Sequence, residues 1–466
     1  MQEAWTGADA TALRIALGKS QREFARSLGI AESTVKKYAA RGETITLPPL
    51  FAGLMDTVLA RATPEQRARY FAAGQRRISI VLPAEREHPA TPDRQQWEPG
   101  VWTADCAAIA HDLTRKDLMV DRRQATRALL GVIVGANLLE PLEHWLGAPD
   151  GQPETAASTA GIGVQEVEQL ETAARVFREW DDQYGGGLRR KAVVGQLDDV
   201  TDLLDRTNSP ELRRRLTAVL AQLAETAATM SWDSGQQAVA QRYYVLAVRA
   251  AKAASDAPFA AHALSGMARQ LLCLGRAHDA LELVRLAQGI AVDEAAPAVR
   301  AMLDTREAWA YAQLGRPTAF RRISDRAFET LVAALPNENP YWIGYFDAAE
   351  FAGTTGGRLL EMAQHSPEYA APAAEYIGQA IALRKPDRLR SAALDQLGIA
   401  EARLIEGEAE EACRLGHEAL TTVERTASDR VRVKLGEMYQ RTSQLADVAV
   451  VAEFRDRMRP FIAPQV

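Results

Sequence analysis

The tripeptide Gly18-Lys19-Ser20 has the residue types that end a phosphate-binding P-loop. A P-loop reads G-x-x-x-x-G-K-[ST], follows a β-strand and opens a helix, so that backbone N–H groups and the lysine surround the phosphates. The first glycine of that pattern would stand at position 13, which is Leu13, and the preceding ATALRIAL is typical of a helix. The sequence therefore does not predict a nucleotide site here.

The other residues that could do chemistry lack the spacing of a catalytic or metal site. The chain contains neither H-E-x-x-H nor G-x-S-x-G, and its seven histidines are scattered. Cys106, Cys273 and Cys413 lie far apart without a C-x-x-C pair, so neither a zinc site nor a disulfide framework is indicated. We therefore expect no enzymatic activity, no metal and no cofactor.

The stretch around the tripeptide is explained by two short helices joined by a tight turn. Ser20 is a favourable N-cap, and Glu23, three residues later, completes a capping box. Phe24 begins an apolar face, and Gly29 is placed to end the helix. A second helix is predicted over about residues 31–40. Two short helices with a glycine in the turn between them are the design of a helix-turn-helix.

Composition favours helix throughout and separates a basic head from an acidic body. Of the 466 residues, 47% are hydrophobic and 25% charged, with few β-rich runs, so we expect an all-α protein. Residues 11–77 hold 12 Lys or Arg and 5 Asp or Glu, whereas residues 78–466 carry a net charge of −11. This asymmetry predicts that the head binds a polyanion.

The segment SQREFARSLGIAESTVKKY (20–38) resembles the Xre/Cro family of lambda-repressor-like helix-turn-helix domains. The positions that match the family pattern are Gln21, Glu23, Ala25, Gly29, Ile30, Thr34, Val35 and Tyr38. AARG (39–42) departs from the E-x-G that the family more often has after the second helix. The resemblance implies that this second helix enters the major groove of double-stranded DNA. The residues that it implies in DNA contact are Lys19, Gln21, Arg22, Glu32, Ser33, Thr34, Lys36 and Lys37. The alternative is that Lys36 and Lys37 only form a solvated helix face.

Four regions follow from the changes in composition along the chain. Residues 1–77 are the predicted DNA-binding domain, and the proline-rich residues 78–105 predict a linker. Residues 106–210 are expected to be a helical connecting or dimerisation region, with a flexible insert at 147–163 that is rich in Gly, Ala, Ser, Thr and Pro. Residues 211–466 are the predicted repeat domain.

The acidic body contains an internal repeat. Gly235, Gly275 and Gly315 recur every 40 residues, and a further unit centres on Gly407. Alanine stands seven residues before and twelve residues after each of these glycines, which allows helices to approach closely. This pattern resembles the tetratricopeptide (TPR) repeat, whose helix pairs stack into an α-solenoid with a concave groove. One degenerate unit is expected around residues 373–380.

The TPR resemblance implies that the first helix of each unit lines the groove and contacts an effector. The residues implied on these helices are Gln222, Glu225, His262, Ser265, Arg269, Thr305, Trp309 and Gln313. The segment NPYWIGYFDAAEF (339–351) adds Tyr341, Trp342 and Tyr345, which either line an amphipathic pocket or fill a core where the repeat is irregular. For Arg269 and Trp309 a groove position and a plain surface or core position both stay open.

The order of the segments resembles the large Xre-type regulators of actinobacteria and the RRNPP receptors, whose helical repeat binds a signalling peptide in quorum sensing. The resemblance implies a homodimeric transcriptional regulator that binds double-stranded DNA and responds to an effector. The polar N-terminus has no secretory signal, so we expect a cytoplasmic protein without a membrane association. The few asparagines leave a small molecule or a protein open beside a peptide effector. The alternative function is a TPR interaction scaffold without specific DNA binding.

Overall fold

The computed structural model describes residues 7–28, 32–42, 47, 55, 104–119, 132–147, 162–184, 190–291, 294–333, 339–426 and 428–462. Within these ranges every regular element is a helix, which confirms the predicted all-α class. The chain divides into two compact units, Met1–Pro92 and Asp93–Val466. The predicted linker, apart from residues 104 and 105, and residues 148–161 of the predicted insert lie outside the described residues.

The described part of the N-terminal unit contains three helices around one core. α1 spans Gly7–Ala16, α2 spans Gln21–Leu28 and α3 spans Glu32–Arg41. α3 packs against both α1 and α2. The buried residues of this core are Ala10, Leu13, Ala16, Phe24, Ala25, Val35, Tyr38, Leu47 and Met55. The turn predicted at residues 29–31 lies outside the described residues.

The capping box predicted at the start of α2 is confirmed. The Ser20 N–H donates to Glu23 Oε2 over 2.8 Å, and the Glu23 N–H donates to Ser20 Oγ over 3.2 Å. Gly18 has a φ of 69°, in the left-handed region, and the Lys19 N–H donates to the Arg14 carbonyl over 3.1 Å. Residues 18–20 therefore connect two helices, in agreement with the exclusion of a P-loop.

Among the described residues of the C-terminal unit, four helices precede the predicted repeat. These are α4 (Cys106–Met119), α5 (Ala136–Gly147), α6 (Val164–Tyr184) and α7 (Arg190–Arg206). The repeat region then contains α8 (Pro210–Asp233), α9 (Gln237–Ala253), α10 (Ala257–Cys273), α11 (Ala277–Ile290), α12 (Pro297–Gln313), α13 (Pro317–Val332), α14 (Ala348–Ala363), α15 (Ala370–Leu383), α16 (Leu389–Ile405), α17 (Ala409–Val423), α18 (Asp429–Arg441) and α19 (Ala449–Ile462). Short 3-10 helices lie at Tyr341–Ile343, Pro367–Tyr369 and Thr442–Leu445.

Helices of the repeat region pack in consecutive pairs. α8 packs on α9, α10 on α11, α12 on α13, α14 on α15 and α16 on α17. The first helices of neighbouring pairs also touch, in the order α8, α10, α12, α14, α16 and α18. α14 and α15 occupy the place of the expected degenerate unit, and Ala373 and Ala380 of α15 are buried in it.

Each of the four recurring glycines follows the first helix of a pair. Gly235, Gly275, Gly315 and Gly407 have φ values of 74°, 73°, 66° and 87°. In each turn the residue after the glycine donates its N–H to the carbonyl five residues earlier, over 2.8–2.9 Å. This is the Schellman arrangement, which uses a left-handed residue to satisfy carbonyls at a helix end. The recurring glycines therefore mark equivalent turns.

The alanines in register with these glycines are buried between helices. The eight positions are Ala228, Ala268, Ala308, Ala400, Ala247, Ala287, Ala327 and Ala419, each at most 2% exposed. Closely packed helices leave room only for small side chains. Alanine meets this need and, unlike glycine, does not add the backbone freedom that destabilises a helix. The alanine register thus follows from the close approach of the helices.

Replacing Gly315 by alanine is expected to destabilise the chain by about 1 kcal/mol, because a Cβ disfavours its φ of 66°. The matched control is Gly195→Ala inside α7, which is expected to stabilise by about 0.5–1 kcal/mol. At both positions a new Cβ would meet no atom of the described residues within 4 Å, close chain neighbours aside, so packing does not differ. Urea unfolding followed by circular dichroism gives the free energy of unfolding of both variants. Equal changes at the two positions would contradict the role of Gly315 as a left-handed turn residue.

Candidate functional site

The outer surface of α3 is the first candidate site. Val35 and Tyr38 are buried in the core of the N-terminal unit, whereas Lys36 and Lys37 between them are exposed. Successive residues of an α-helix point about 100° apart, so burial of the flanking pair turns both lysines away from the core. The α3 surface therefore presents adjacent cationic groups on a rigid helix.

The other residues implied in DNA contact lie at the starts of α2 and α3. Four of them are exposed or half-buried: Lys19, Gln21, Arg22 and Thr34. The Arg14 Nη1 donates to the carbonyl of Lys19 over 2.7 Å and so holds the backbone that leads into α2. Glu32 and Ser33 open α3, but their side chains lie outside the described part of the chain.

The second candidate site is the interior of the repeat region, where the row of first helices returns on itself. α8 contacts α18, and α6 lies against both α8 and α16. Asp233, the last residue of α8, binds Arg390 of α16 and Arg430 of α18, each over 2.5 Å. These arginines are 157 and 197 residues further along the chain. Asp181, Asp233, Arg390 and Arg430 are called the Asp233 cluster below.

Burial makes the electrostatics of the Asp233 cluster unusual. The Asp233 side chain is 0% exposed, which by itself would raise its pKa, but Arg430 and Arg390 hold that pKa well below its usual range. Asp181 Oδ1 lies 3.8 Å from Arg390 Nη1, and burial raises the pKa of Asp181 to about 7 against this attraction. The cluster thus combines two guanidinium groups with one firmly ionised carboxylate and one that titrates near neutral pH.

Beside this cluster, the interior cluster consists of Arg178, Glu225, His262, Trp342 and Tyr345. Arg178 of α6 donates from Nη2 to Glu225 Oε2 of α8, and the same Nη2 lies 3.4 Å from His262 Nε2 of α10. His262 Nε2 lies 3.6 Å from Glu225 Oε1. Three helices that are far apart in sequence are therefore joined by one buried polar contact.

The protonation states of the interior cluster follow from burial and pairing. Burial alone would raise the pKa of Glu225, but the Arg178 charge and the contacts with His262 outweigh it and hold the pKa at about 2. Burial lowers the pKa of His262, against the attraction of Glu225. At neutral pH the cluster therefore contains an ionised Arg178–Glu225 pair and a neutral imidazole.

The predicted aromatic segment covers this polar contact. Trp342 packs edge-on against Phe259 at 5.2 Å between ring centroids and lies 4.9 Å from the His262 ring. Trp342 is buried, so it fills the interior, whereas Tyr345 is half-buried and Tyr341 is exposed. The Tyr341 hydroxyl donates to Gln222 Oε1 on α8. The tryptophan of this segment thus lies in the core, and the tyrosines lie at its edge.

Two of the predicted groove residues join helices outside the interior cluster. Trp309 Nε1 donates to Glu361 Oε2 over 3.0 Å, and the Arg358 guanidinium lies 3.5 Å from the centroid of the Trp309 ring. Gln313 Nε2 donates to the Leu272 carbonyl over 3.1 Å. Trp309 and Gln313 therefore connect α12 to α14 and to α10.

The remaining predicted groove residues lie on α10 and α12. Ser265 Oγ lies 2.8 Å from Met302 Sδ, and Thr305 Oγ1 donates to the Met302 carbonyl over 2.7 Å. Arg269 is half-buried, with its guanidinium 5.3 Å from the centroid of the Trp232 ring. The side chains of Ser265 and Arg269 are thus one helical turn apart on α10.

Sequence reasoning missed the charged residues that α6, α12, α16 and α18 contribute to the interior. They are Arg178, Asp181, Arg306, Arg390 and Arg430. One signal was present in α6, where the buried positions Val167 and Ala174 continue at helical spacing as Arg178 and Asp181. Charged residues that continue a buried apolar stripe indicate either a buried ion pair or a ligand-binding site. The sequence carries no comparable signal for Arg390 or Arg430, whose partner precedes them by more than 150 residues.

Metal binding and membrane insertion find no support in the described ranges. No group of three or more His, Cys, Asp or Glu side chains in them is placed to hold a metal ion. Among the helices described above, none is both long and apolar enough to cross a bilayer. Comparisons with protein-family models, with curated proteins and with solved structures give no match to this chain.

Proposed function

We propose that the chain is a sequence-specific DNA-binding transcriptional regulator of the Xre/Cro helix-turn-helix type. In this proposal its TPR-like α-solenoid binds an effector, mediates dimerisation, or both. The observation that carries the proposal is α3, which buries Val35 and Tyr38 and exposes Lys36 and Lys37. A rigid helix with an exposed basic face is the element that such domains place in the major groove.

DNA binding of this type requires two copies of the head. One small domain makes few base contacts, so specificity comes from a dimer on two half-sites about one helical turn apart. The net charge of +7 over residues 11–77 supports attraction to phosphates. We therefore propose a homodimer on a two-fold symmetric operator.

Effector binding is supported by the polar interior of the repeat region. α6, α8, α16 and α18 meet there through buried ion pairs, and the aromatic segment covers them. A ligand that binds one curvature of the helix row better than another shifts the balance between them. Such a shift would alter the separation of the two heads in a dimer and with it the affinity for DNA.

Replacing both Lys36 and Lys37 by alanine is expected to weaken specific DNA binding by about 10- to 100-fold, because charged contacts to DNA are lost. The matched control is Arg321→Ala/Arg322→Ala, an adjacent exposed basic pair on α13 of the repeat region. Selection of bound fragments from sheared genomic DNA identifies the operator. Fluorescence anisotropy on that operator over a salt series then compares the three proteins.

Enrichment of a symmetric motif by the native chain and the Arg321/Arg322 variant, but not by the Lys36/Lys37 variant, would support the regulator. The salt dependence should also become shallower by about 2 in log–log slope, if both lysines contact phosphates. Equal binding by all three proteins would contradict the role of α3. No enrichment by any protein at moderate salt, with or without a cell extract, would favour the interaction scaffold.

A further inference from the structure

α10 and α12 pack against each other, and Arg269 on α10 and Arg306 on α12 repel each other electrostatically. Among the described residues neither arginine has an ion-pair partner. We infer that these two arginines form a binding site for an oxyanion, a phosphate or carboxylate group carried by a small ligand. The inference deepens the proposed function, since it rests on the C-terminal unit being an effector-binding domain. It does not depend on DNA binding by the head.

Arg306 is the residue that points most directly to a ligand. Its side chain is 2% exposed, and its Nε lacks a hydrogen-bond partner. No carboxylate of the described residues lies within ion-pair distance of Arg306 or of Arg269. Burying a charged group without a partner is strongly unfavourable, so a folded chain rarely keeps one unless a ligand pairs with it.

The neighbouring arginines are already paired, which leaves a surplus of positive charge. Arg178 binds Glu225, and the Asp233 cluster holds its own two arginines. Glu350 acts electrostatically on Arg269 and Arg306, but its carboxylate binds Arg384 Nη1 over 2.8 Å. Arg384 also binds Asp395 over 2.7 Å, so this arginine pairs with two carboxylates. The nearby acidic groups therefore have other partners.

The surplus of positive charge appears as electrostatic repulsion between neighbouring arginines. Burial, together with repulsion from Arg430 and Arg306, lowers the pKa of Arg269 to about 10. The groups that interact electrostatically with one or both of these arginines include Arg430, Glu350, Cys273, His262 and Tyr345. An oxyanion between the two guanidinium groups would remove the repulsion and accept hydrogen bonds from both.

Neutral groups beside the arginines could complete such a site. Among the described residues, the buried His262 Nδ1 has no hydrogen-bond partner. Ser265 Oγ donates to Met302 Sδ, and a thioether sulfur accepts only weakly. His262, Ser265 and Arg269 follow one another at helical spacing on α10. The Tyr345 side chain lies close enough to both guanidinium groups for its pKa to respond to them, although burial raises that pKa overall.

The surroundings also limit the size of the ligand. α6 places Arg178 against His262, and Trp342 packs on the other side of the same ring. Because these two elements of the chain occupy the interior, an extended peptide would have to displace them. The Arg269 guanidinium lies 5.3 Å from the centroid of the Trp232 ring, and Trp342 lies 4.9 Å from the His262 ring. These neighbours favour a small anion with a flat apolar part as the ligand.

The test measures thermal unfolding and calorimetric binding of the full chain with inorganic phosphate and with acetate, at constant ionic strength set by chloride. We expect a saturable rise of Tm with at least one of these anions. Arg306→Met should bind that anion at least about tenfold more weakly, since a charge-assisted contact is lost. Its Tm in chloride alone should equal or exceed that of the native chain, because an unpaired buried charge is removed.

Two controls exclude binding of the anion elsewhere. Lys36→Ala/Lys37→Ala removes basic groups of the head, and Arg316→Met removes a side chain from a surface pocket of about 450 Å³ that Arg322 also lines. Both variants should keep the native response. If Arg306→Met does not fold, Arg269→Gln replaces it, with the same expected tenfold loss.

The relative strength of phosphate and acetate indicates whether the ligand carries a phosphate or a carboxylate. Equal responses of the native chain and the Arg306 and Arg269 variants, or no response to either anion, would overturn the inference. DNA binding of the same preparations is measured in parallel. A native chain that binds DNA but does not respond to either anion counts against this site alone. A native chain that responds to an anion but does not bind DNA counts against the regulator alone.

Discussion

Asp233→Ala is expected to destabilise the C-terminal unit by about 3–5 kcal/mol, which is the cost of leaving a buried charge unpaired. The Asp233 side chain is 0% exposed and binds two arginines that are themselves only 10% and 11% exposed. Removing the carboxylate leaves both guanidinium groups in the interior without their main counter-charge. The same change cuts the link from α8 to α16 and α18.

The matched control is Asp456→Ala on α19. Asp456 Oδ1 pairs with Arg459 Nη1 over 2.9 Å, but the two side chains are 65% and 63% exposed. An exposed pair contributes little, so we expect a change within about 0.5 kcal/mol. Urea denaturation gives both free energies of unfolding, and hydrogen exchange shows whether protection is lost first in α16 and α18.

A second variant tests the cause of the loss at Asp233. If unpaired buried charge is responsible, adding Arg430→Met to Asp233→Ala should recover part of the stability. Recovery would be absent if Asp233 acted only through its shape or through the end of α8. A loss no larger than that of Asp456→Ala would show that the ends of the helix row are not held by this cluster.

Glu225→Gln is expected to destabilise by about 3–5 kcal/mol near neutral pH, and the loss should shrink in acid. The amide leaves Arg178 buried without its carboxylate. In the native chain the pKa of Glu225 is lowered from its usual 4.5 to about 2, so the folded state binds that proton more weakly than the unfolded state. The stability that the carboxylate contributes is therefore fully present above about pH 4.5 and is lost as the pH falls towards 2.

The size of this acid-dependent part follows from the pKa difference. At about 1.4 kcal/mol per pKa unit, the difference between 4.5 and about 2 corresponds to roughly 3 kcal/mol. Other carboxylates also contribute to the pH dependence of stability, including Asp181, whose pKa burial raises to about 7, but they act on native chain and variant alike. The difference in unfolding free energy between the two proteins should thus be constant from pH 7 to about pH 5 and narrow below it.

The matched control for this pH profile is Glu171→Gln. The native Glu171 links the same two helices, α6 and α8, at a more exposed place. Glu171 of α6 accepts from Nε and Nη2 of Arg215 on α8, each over 2.8 Å, and the side chains are 31% and 22% exposed. We expect a loss of about 1 kcal/mol or less. A difference between native chain and Glu225→Gln that does not change down to pH 3.5 would contradict the assigned pairing.

Local features of this fold could be predicted from the sequence because short-range contacts decide them. The Ser20–Glu23 capping box needs only residues three apart, and it is present as predicted. The turns at Gly235, Gly275 and Gly315 need only a left-handed residue and carbonyls within five positions. The alanine register follows from the same pairs of adjacent helices, so the all-α class and the helix pairs were predictable.

The place of the aromatic segment was only partly predictable. Its composition indicates either a pocket or a core, and the choice depends on which side chains it meets. Trp342 is buried because Phe259 and His262, some 80 residues earlier, present their rings to it, whereas Tyr341 stays exposed beside Gln222. No periodicity within the segment distinguishes these two outcomes.

The interior clusters were decided by the tertiary structure alone. Asp233 meets Arg430 across 197 residues because α8 and α18, the first and last of the six first helices, lie in contact. Arg178 reaches Glu225 only because α6 lies against α8. By itself the sequence determined the helices, the turns and the spacing of small residues, because the hydrogen bonds and contacts that form them join residues close together in the chain. The tertiary structure decided which charges meet, because long-range electrostatics depends on where whole helices come to rest.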